Sequence, residues 1–364
     1  MPTQVSRRGL ATLDSRLWHQ LALRVHPACA IAASVNGETV IDLSGGTANP
    51  ATGTKASAGT LYAVWSCGKP LAASCLWLLK DRGALDWSDR VTDHWPEYGA
   101  NGKRDTTIEH VLTHQAGLPT RPSIINREVI AAGPLDWAAV VAALEQAEPE
   151  FTPGSAIEYH SMNFGYLVAE LVQRVSGQPF REFFREEVTG PLGLTDTYFG
   201  LPEEHERRFA RLQVMPGFDS PETAALGNLR WFHEQVAPGG SGISTARDLA
   251  KFYGVLAGGG VVNGKQWLRE SVINDVTSLH AEGVERGTDE MRRWGLGVQL
   301  ASAKFGSQAG PRVFGHGGVG TSISWGDHDL GAGAAIVTTG MQPDDVNDER
   351  LATLSDLVRA ALSG

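Results

Sequence analysis

The sequence is poor in cysteine. Its 364 residues include three cysteines, Cys29, Cys67 and Cys75. The number of cysteines is odd, and they lack the close spacing that is typical of metal ligands or of a disulfide-rich secreted domain. The simplest prediction is a protein of the reduced cytoplasm that holds no metal and needs no cofactor.

Long apolar runs and an excess of positive charge are also missing. No stretch approaches the ~18 consecutive apolar residues that a membrane-spanning helix needs, so no membrane span is predicted. The chain carries 31 Lys and Arg against 41 Asp and Glu, which gives a formal net charge of −10. This acidic balance argues against a nucleic-acid partner and against a basic membrane-binding patch.

The residues that are present fit a large globular fold. Hydrophobic residues make up 42% of the chain, which is ordinary for a globular protein. A chain of this length can bury a large core and can form two domains.

The order of the secondary-structure patterns predicts a mixed sheet with strands from both ends of the chain. Two apolar runs, 28–34 and 39–43, flank Asn36-Gly37, a dipeptide typical of β-hairpins. Strand-like patterns return between residues 294 and 338, and an amphipathic helix is predicted at 346–362. The middle of the chain has the patterns of helices and long loops, which indicates an inserted helical domain.

Residues 66–69 carry the strongest indication of chemistry. Ser66-Cys67-Gly68-Lys69 follows a strand-like segment, and Pro70 is tolerated only near the first turn of a helix. Residues three apart share a helix face, so Ser66 and Lys69 can point into the same space. Burial lowers the pKa of a lysine, and the uncharged amine can accept the serine proton. The alternative is a capping serine beside a surface lysine.

A second segment, residues 153–166, places Tyr159 and Ser161 at the tip of a loop before a helix. A phenol near Lys69 can share its proton and serve as the general base for the Ser66 hydroxyl. The alternative is a turn tyrosine whose ring only packs.

A third segment, residues 313–320, is rich in glycine and contains His316. Glycine lets the backbone approach a substrate closely, and an edge strand there can direct an N–H at a developing oxyanion. Residues 315–320 of this segment also match the motif Gly-x-Gly-x-x-Gly. A dinucleotide site is rejected because that motif must open a helix, and residues 321–325 look like another strand.

Together, the Ser-x-x-Lys helix start, the tyrosine loop and the Gly-rich strand resemble the serine β-lactamase and penicillin-binding-protein family. The chain is most similar to the class C-like branch, which includes family VIII carboxylesterases and acyltransferases of the lovastatin-synthesis type. Residues 107–119 and 239–249 also fit this branch. The resemblance covers about residues 15–362.

This resemblance implies a fold and a domain arrangement. The expected fold is β-lactamase-like, of the α+β or α/β class, with an antiparallel sheet flanked by helices and strands from both termini. Residues 1–83 and 246–364 would form the sheet domain, and residues 84–245 would form the inserted, mainly helical domain. The active site would lie at the interface of the two domains.

The resemblance also implies catalytic roles. Ser66 would be the nucleophile, Lys69 its amine partner, and Tyr159 the general base and later the acid for the leaving group. The backbone N–H groups of Ser66 and Val319 would form the oxyanion hole, because Val319 follows the triplet that stands where the family has Lys-Thr-Gly.

Two departures from the family pattern bear on the substrate. The family's Tyr-x-Asn is here Tyr159-His160-Ser161, and its Lys-Thr-Gly is His316-Gly317-Gly318. The ammonium that would bind a β-lactam carboxylate is replaced by an imidazole that is usually neutral at pH 7. The residues expected to contact substrate are His160, Ser161, His316, Gly317, Gly318, Arg121 and Trp325, with Trp65, Trp231 and Phe232 as further pocket residues.

The predicted function is hydrolysis of a small carboxylic ester, or of an amide, through a serine acyl-enzyme. The alternative is transfer of the acyl group to an alcohol or amine acceptor in secondary metabolism, which uses the same residues. β-Lactam or D-peptide cleavage and a non-catalytic penicillin-binding-like module rank behind these two. The sequence does not predict an oligomeric state.

Overall fold

The computed structural model describes residues 5–119 and 133–363. Its strands are β1 (Ala28–Val35), β2 (Glu38–Asn49), β3 (Thr54–Lys55), β4 (Tyr62–Ala63), β5 (Tyr198–Phe199), β6 (Gln213–Val214), β7 (Gly242–Ser244), β8 (Val261–Val262), β9 (Lys265–Gln266), β10 (Ala281–Val284), β11 (Met291–Trp294), β12 (Gln299–Leu300), β13 (Val313–Gly318), β14 (Ser322–Asp327), β15 (Ala332–Thr338) and β16 (Gly340–Met341).

Helices of the described residues are α1 (Arg7–Ala22), α2 (Lys69–Asp81), α3 (Val91–His94), α4 (Ile108–Leu112), α5 (Trp137–Gln146), α6 (Asn163–Ser176), α7 (Phe180–Phe183), α8 (Gly190–Leu192), α9 (Pro221–Leu226), α10 (Arg230–Glu234), α11 (Ala246–Ala257), α12 (Glu270–Val276) and α13 (Asp344–Leu362). Short 3₁₀ helices cover Trp65–Gly68, Pro96–Gly99, Glu203–Arg208 and Ala303–Phe305, and one π-helical segment covers Phe184–Thr189.

A nine-stranded antiparallel sheet forms the centre of the fold, in the order β10-β11-β12-β13-β14-β15-β1-β2-β3. The N-terminal strand β1 pairs with the C-terminal strand β15, and Ile31 lies opposite Ile336. The predicted hairpin joins β1 to β2 through Asn36 and Gly37, which have φ angles of 50° and 83°. Such angles are those of a type I′ turn, which Asn-Gly adopts readily. The predicted antiparallel sheet with strands from both termini is confirmed.

Helices cover both faces of this sheet. On one face, leucines of α1 and α13, such as Leu17 and Leu354, pack against Ile31 and Ile336. On the other face, α11 packs against β1 and β15. Helices α2 and α6 extend that second core towards the middle of the chain. The β-lactamase-like arrangement expected from the sequence is therefore present.

Most of the residues between β4 and β10 form helices and loops, with the small strands β5–β9 among them. The boundaries 1–83, 84–245 and 246–364 stay a prediction. Across the part of the chain that the structure describes, no helix combines the length and the apolar character that a bilayer crossing requires.

Candidate active site

Ser66 lies in a 3₁₀ turn that leads directly into α2. The preceding residue, Trp65, has a φ of 50°, a left-handed conformation that is uncommon for a bulky residue. Its indole is held between Phe232, 6.0 Å away between ring centroids, and Gly227. A Cβ on Gly227 would lie 2.7 Å from that indole, so only glycine leaves room for it. This packing fixes the backbone that presents Ser66.

Lys69 is completely buried at the start of α2. Its Nζ lies 3.0 Å from Ser66 Oγ and donates to the carbonyl oxygens of Ser161 and Gly239, each 2.7 Å away. Burial lowers the pKa of Lys69 to about 7. An uncharged amine keeps two protons for the two carbonyls and turns its lone pair to Ser66, so it can accept the serine proton.

Tyr159 reaches the same serine from the opposite side of the site. The Ser66 side chain is near enough to the Tyr159 hydroxyl to lower its pKa, and the Tyr159 ring centroid lies 4.9 Å from Lys69 Nζ. The ring stacks on Trp294 at 6.1 Å and packs on His114 at 4.7 Å. Burial raises the pKa of Tyr159, so at neutral pH it is a phenol with a proton to donate.

The loop that carries Tyr159 is held by hydrogen bonds at three successive backbone N–H groups. Glu158 N donates to His114 O at 3.1 Å and His160 N donates to His114 Nδ1 at 3.1 Å. Between them, Tyr159 N donates to the Glu285 carboxylate at 2.9 Å. Glu285 is buried and pairs with Arg292 at 2.7 Å. Contacts from two separate parts of the chain therefore fix the position of the phenol.

Strand β13 brings the Gly-rich segment to Ser66. Gly318 must be glycine here, because a Cβ would lie 2.4 Å from Val64 O. The thiol of Cys67 donates to His316 O at 3.1 Å and ties the 3₁₀ turn to this strand. His316, Gly317, Gly318 and Val319 line the same cavity as Ser66.

The imidazole of His316 is uncharged. Burial, with Lys69 as a second cause, lowers the pKa of His316 to about 3. Its Nδ1 lies 2.7 Å from Gly317 O and therefore carries the proton. Nε2 is then a hydrogen-bond acceptor, and it is buried with no partner among the described residues.

These groups surround a cavity of about 390 Å³. It exposes a serine with an adjacent amine and phenol, which is the arrangement of an activated nucleophile. The sequence model of the beta-lactamase family matches residues 15–357. The chain belongs to the beta-lactamase family.

The relatives of this chain within the family include an esterase/beta-lactamase, a penicillin-binding protein homologue and a carboxylesterase. The chain is 29% identical to the esterase/beta-lactamase LipL of Mycobacterium tuberculosis over 338 residues, covering 85% of this chain and 76% of LipL. A penicillin-binding protein homologue from Caulobacter crescentus is 29% identical, with a TM-score of 0.86 over 99% of both chains. A family VIII carboxylesterase is 28% identical, with a TM-score of 0.87 over 97% of this chain and 98% of the esterase.

Most of the site residues that the sequence predicted lie around the cavity that contains Ser66. Its walls include Ser66, Tyr159, Ser161, residues 316–319, Trp65 and Phe232. Lys69 lies behind Ser66 and contacts it directly. Trp231 packs edge-on against Phe232 and is not part of the wall. Arg121 falls outside the described residues.

Two predicted substrate contacts need correction. Trp325 is fully buried on the other face of the sheet, among the side chains of α1 and α13, and its Nε1 donates to Ser355 Oγ at 3.1 Å. Side chains alternate along β14, and the parity of residue 325 directs it away from the site. His160 is buried as well, and its Nε2 accepts from Leu118 N at 2.9 Å. Both side chains have structural roles.

Other functional residues were missed from the sequence. Trp294, Arg292 and Lys304 line the cavity, and Glu285 holds the Tyr159 loop. They lie more than 120 residues after Tyr159 with no local motif. For Gly239 the sequence offered a partial indication. Residues 239–249 fit the family pattern, but that pattern did not predict that the Gly239 carbonyl accepts a hydrogen bond from Lys69.

Proposed function

We propose that this protein hydrolyses carboxylic esters through an acyl-enzyme at Ser66, with amides as a secondary substrate class. The observation that carries the proposal is the placement of Ser66, whose Oγ lies 3.0 Å from the buried Lys69 amine and whose side chain is near enough to the Tyr159 hydroxyl to lower its pKa. A hydroxyl held between a group that can take its proton and a group that can give one is equipped for acyl transfer.

In acylation, the Ser66 proton moves to the uncharged amine of Lys69 while Oγ bonds to the ester carbonyl carbon. The carbonyl electrons move onto oxygen, which the backbone N–H groups of Ser66 and Val319 stabilise. The bond to the leaving alcohol then breaks. Tyr159 gives its proton to the departing oxygen, and the Lys69 ammonium replaces that proton.

Deacylation repeats these steps with water as the nucleophile. Water loses a proton to the Lys69–Tyr159 pair as it attacks the acyl carbon, and Ser66 Oγ recovers a proton as it leaves. The assignment of base and acid differs from the one expected from the sequence, because burial raises the pKa of Tyr159 and lowers that of Lys69. At neutral pH Lys69 is therefore available uncharged to take the serine proton, and Tyr159 still carries the proton that it passes to the leaving group.

Two observations favour esters over β-lactams. Position 316 holds a neutral histidine where the family has a lysine, so the ammonium that would bind a β-lactam carboxylate is absent from that position. The 28% identical family VIII carboxylesterase matches over 97% of the chain. Because LipL is described as both esterase and beta-lactamase, nitrocefin belongs in the substrate panel.

The test is turnover of p-nitrophenyl butyrate by the wild type, by Ser66→Ala and by Ser74→Ala. Ser74 lies on the same helix but is buried and bonded to Leu71 O, so it is a matched control. We expect Ser66→Ala to lose a factor of about 10³ or more in kcat/KM, and Ser74→Ala to keep activity. A butyryl adduct on Ser66 should appear in the intact mass. Near wild-type turnover by folded Ser66→Ala would contradict the proposal.

Acyl transfer is distinguished by adding an amine acceptor to the same reaction. If the ratio of amide to acid exceeds what the solution reactivity of the amine and water explains, the acyl-enzyme has an acceptor site, and transfer replaces hydrolysis as the assigned reaction.

A further inference from the structure

The catalytic cavity has two chemically different ends. At one end, Trp65, Met162, Leu226 and Phe232 form an apolar wall. The other end, where Arg292, Lys304 and Asp348 also border a second groove, is charged and includes Asp344, with Lys304 and Asp348 paired at 2.9 Å. A substrate that fills the cavity therefore meets both apolar and charged side chains.

Tyr159 shows which end receives the leaving group. Its ring stacks on Trp294, and its backbone is bonded to Glu285, the partner of Arg292. In the proposed reaction Tyr159 protonates the departing oxygen, and the part of the wall on which its ring stacks is the strand that carries both Trp294 and Arg292, so we place the leaving alcohol on that side. The acyl group then lies against the apolar wall beside Trp65.

The charged end opens into a second groove of about 780 Å³. Arg292, Gln299, Lys304 and Asp348 border both the cavity and the groove. The groove runs between the β10–β11 hairpin and α13. A leaving group of several atoms can therefore extend past the Lys304–Asp348 pair without leaving the protein surface.

Negative charge exceeds positive charge along this path. Five carboxylates and three cations line the charged end and the groove, namely Glu282, Glu290, Asp344, Asp348 and Glu349 against Arg292, Arg293 and Lys304. Burial raises the pKa of Asp348, its partner Lys304 acts against that rise, and the neighbouring Asp344 and Glu290 raise the pKa further. Asp344 and Glu290 are therefore close enough to Asp348 for their charges to repel. The partial positive charge at the start of α13 offsets only about half of one such charge.

An independent observation comes from His316. Its ring lines the cavity and packs against Tyr159 at 5.9 Å, and Nε2 is a buried acceptor that no described residue satisfies. An unsatisfied buried acceptor is costly and is relieved by a donor, so an N–H or O–H group fits beside it. A carboxylate does not.

We propose that the charged end and its groove bind a cationic, hydrogen-bond-donating alcohol or amine portion of the substrate. The substrate class is thus an ester between an apolar acid and an amino alcohol, and the same subsite would seat an amine-bearing acyl acceptor. This inference rests on the proposed ester hydrolysis at Ser66.

The test uses three butyrate esters that differ only in the alcohol. The cationic ester is 3-(dimethylamino)propyl butyrate, the neutral isostere is 4-methylpentyl butyrate, and the anionic ester is that of 4-hydroxybutanoate. All three give the same butyryl-enzyme, so differences in kcat/KM report on acylation and on the alcohol subsite alone. We expect the cationic ester to be preferred over its neutral isostere by about five- to tenfold, and the anionic ester to be the poorest.

Variants of the Lys304–Asp348 pair sharpen the test. Asp348→Asn should lower the preference for the cationic ester about threefold, and Lys304→Gln should raise it by a similar factor. Opposite changes from the two members of one ion pair are not expected from a general loss of structure. Asp345→Asn is the matched control, since Asp345 lies on the same helical turn and lines neither the cavity nor the groove.

Binding separates failure of this inference from failure of the proposed function. Kd values of the three esters for Ser66→Ala, measured by calorimetry, should follow the same order without any turnover. Equal Kd values, or changes of the same sign in Asp348→Asn and Lys304→Gln, would overturn the inference even if Ser66 is the nucleophile. The expected order of Kd without Ser66-dependent turnover would uphold the subsite and reject the proposed reaction.

Discussion

Lys69 and Lys103 are both fully buried. The surroundings of their amines differ in one of the three groups that contact each Nζ. Lys103 Nζ donates to the carbonyl oxygens of Ala100, Glu145 and Ala147. Lys69 Nζ donates to two carbonyls, and its third neighbour is the hydroxyl of Ser66. A carbonyl can only accept, whereas a hydroxyl can also donate.

This difference decides which lysine can act as a base. Burial lowers the pKa of both lysines, but the carboxylates of Glu145 and Glu148 act against that effect at Lys103. At Lys69, burial lowers the pKa to about 7. Lys103 keeps its proton because three carbonyls need it. Lys69 can release one because Ser66 can reverse the direction of their hydrogen bond.

The largest expected effect is on activity at Lys69. Replacing it with methionine keeps most of the side-chain volume and removes the base, so we expect kcat/KM for p-nitrophenyl butyrate to fall by a factor of about 10³ or more. Because Ser161 and Gly239 line the cavity, we expect water from the cavity to replace the donor that their carbonyls lose. The urea midpoint should change little. Retained turnover would remove Lys69 from the mechanism.

Lys103→Met should give the opposite pattern. Three carbonyl oxygens lose their donor inside the protein, so the free energy of unfolding should fall by about 2–4 kcal/mol, measured by urea denaturation. The kcat/KM of the folded protein should stay within about twofold of wild type. If the two methionine variants instead lost activity and stability to the same extent, the distinction between the two lysines would be wrong.

The pH dependence tests the same distinction without a mutation. Because burial depresses the pKa of Lys69 to about 7, the amine is charged below that pH and uncharged above it. The kcat/KM should therefore rise about tenfold per pH unit up to near pH 7 and then level off. Burial holds the pKa of His316 near 3 and that of His160 near 4, and lowers that of His114. These histidines are already neutral, so they do not produce this limb.

The control for the pH profile is an ester without ionisable groups in this range, together with the melting temperature at each pH. A profile that is flat from pH 5 to 9 in folded protein would show that no base titrates near pH 7. Lys69 would then be, like Lys103, a buried lysine that does not act as a base.

The smallest expected effect is at Glu285, which supports Tyr159 without touching Ser66. Glu285→Ala removes the acceptor of the Tyr159 N–H and leaves Arg292 without that partner, so kcat/KM should fall about tenfold through misplacement of the phenol. Glu285→Gln keeps an acceptor oxygen and should restore most of the activity. Asp289→Ala, an exposed acid on the same hairpin, is the control. Equal losses in Ala and Gln variants would argue against positioning by this hydrogen bond.

Local pattern was sufficient to predict much of the fold. The Asn36-Gly37 turn sets the β1–β2 hairpin through its own backbone preference. Pro70 marks the start of α2, because its ring is tolerated in the first turn and not further along. The sharing of one sheet by strands from both ends of the chain followed from the apolar runs there and from the family resemblance, whereas the specific pairing of β1 with β15 comes from the structure.

The sequence by itself also indicated which residues can react, since the spacing of Ser66 and Lys69 places a hydroxyl and an amine on one helix face and the family resemblance implies the phenol of Tyr159. Only the tertiary structure decided the rest. It assigned Trp325 to the opposite face of the sheet through the parity of β14, and it brought Glu285, Arg292 and Lys304 to Tyr159 from a distant hairpin and turn. It also set the pKa of Lys69, because burial and hydrogen-bond partners depend on which distant segments meet, and a local pattern does not contain that information.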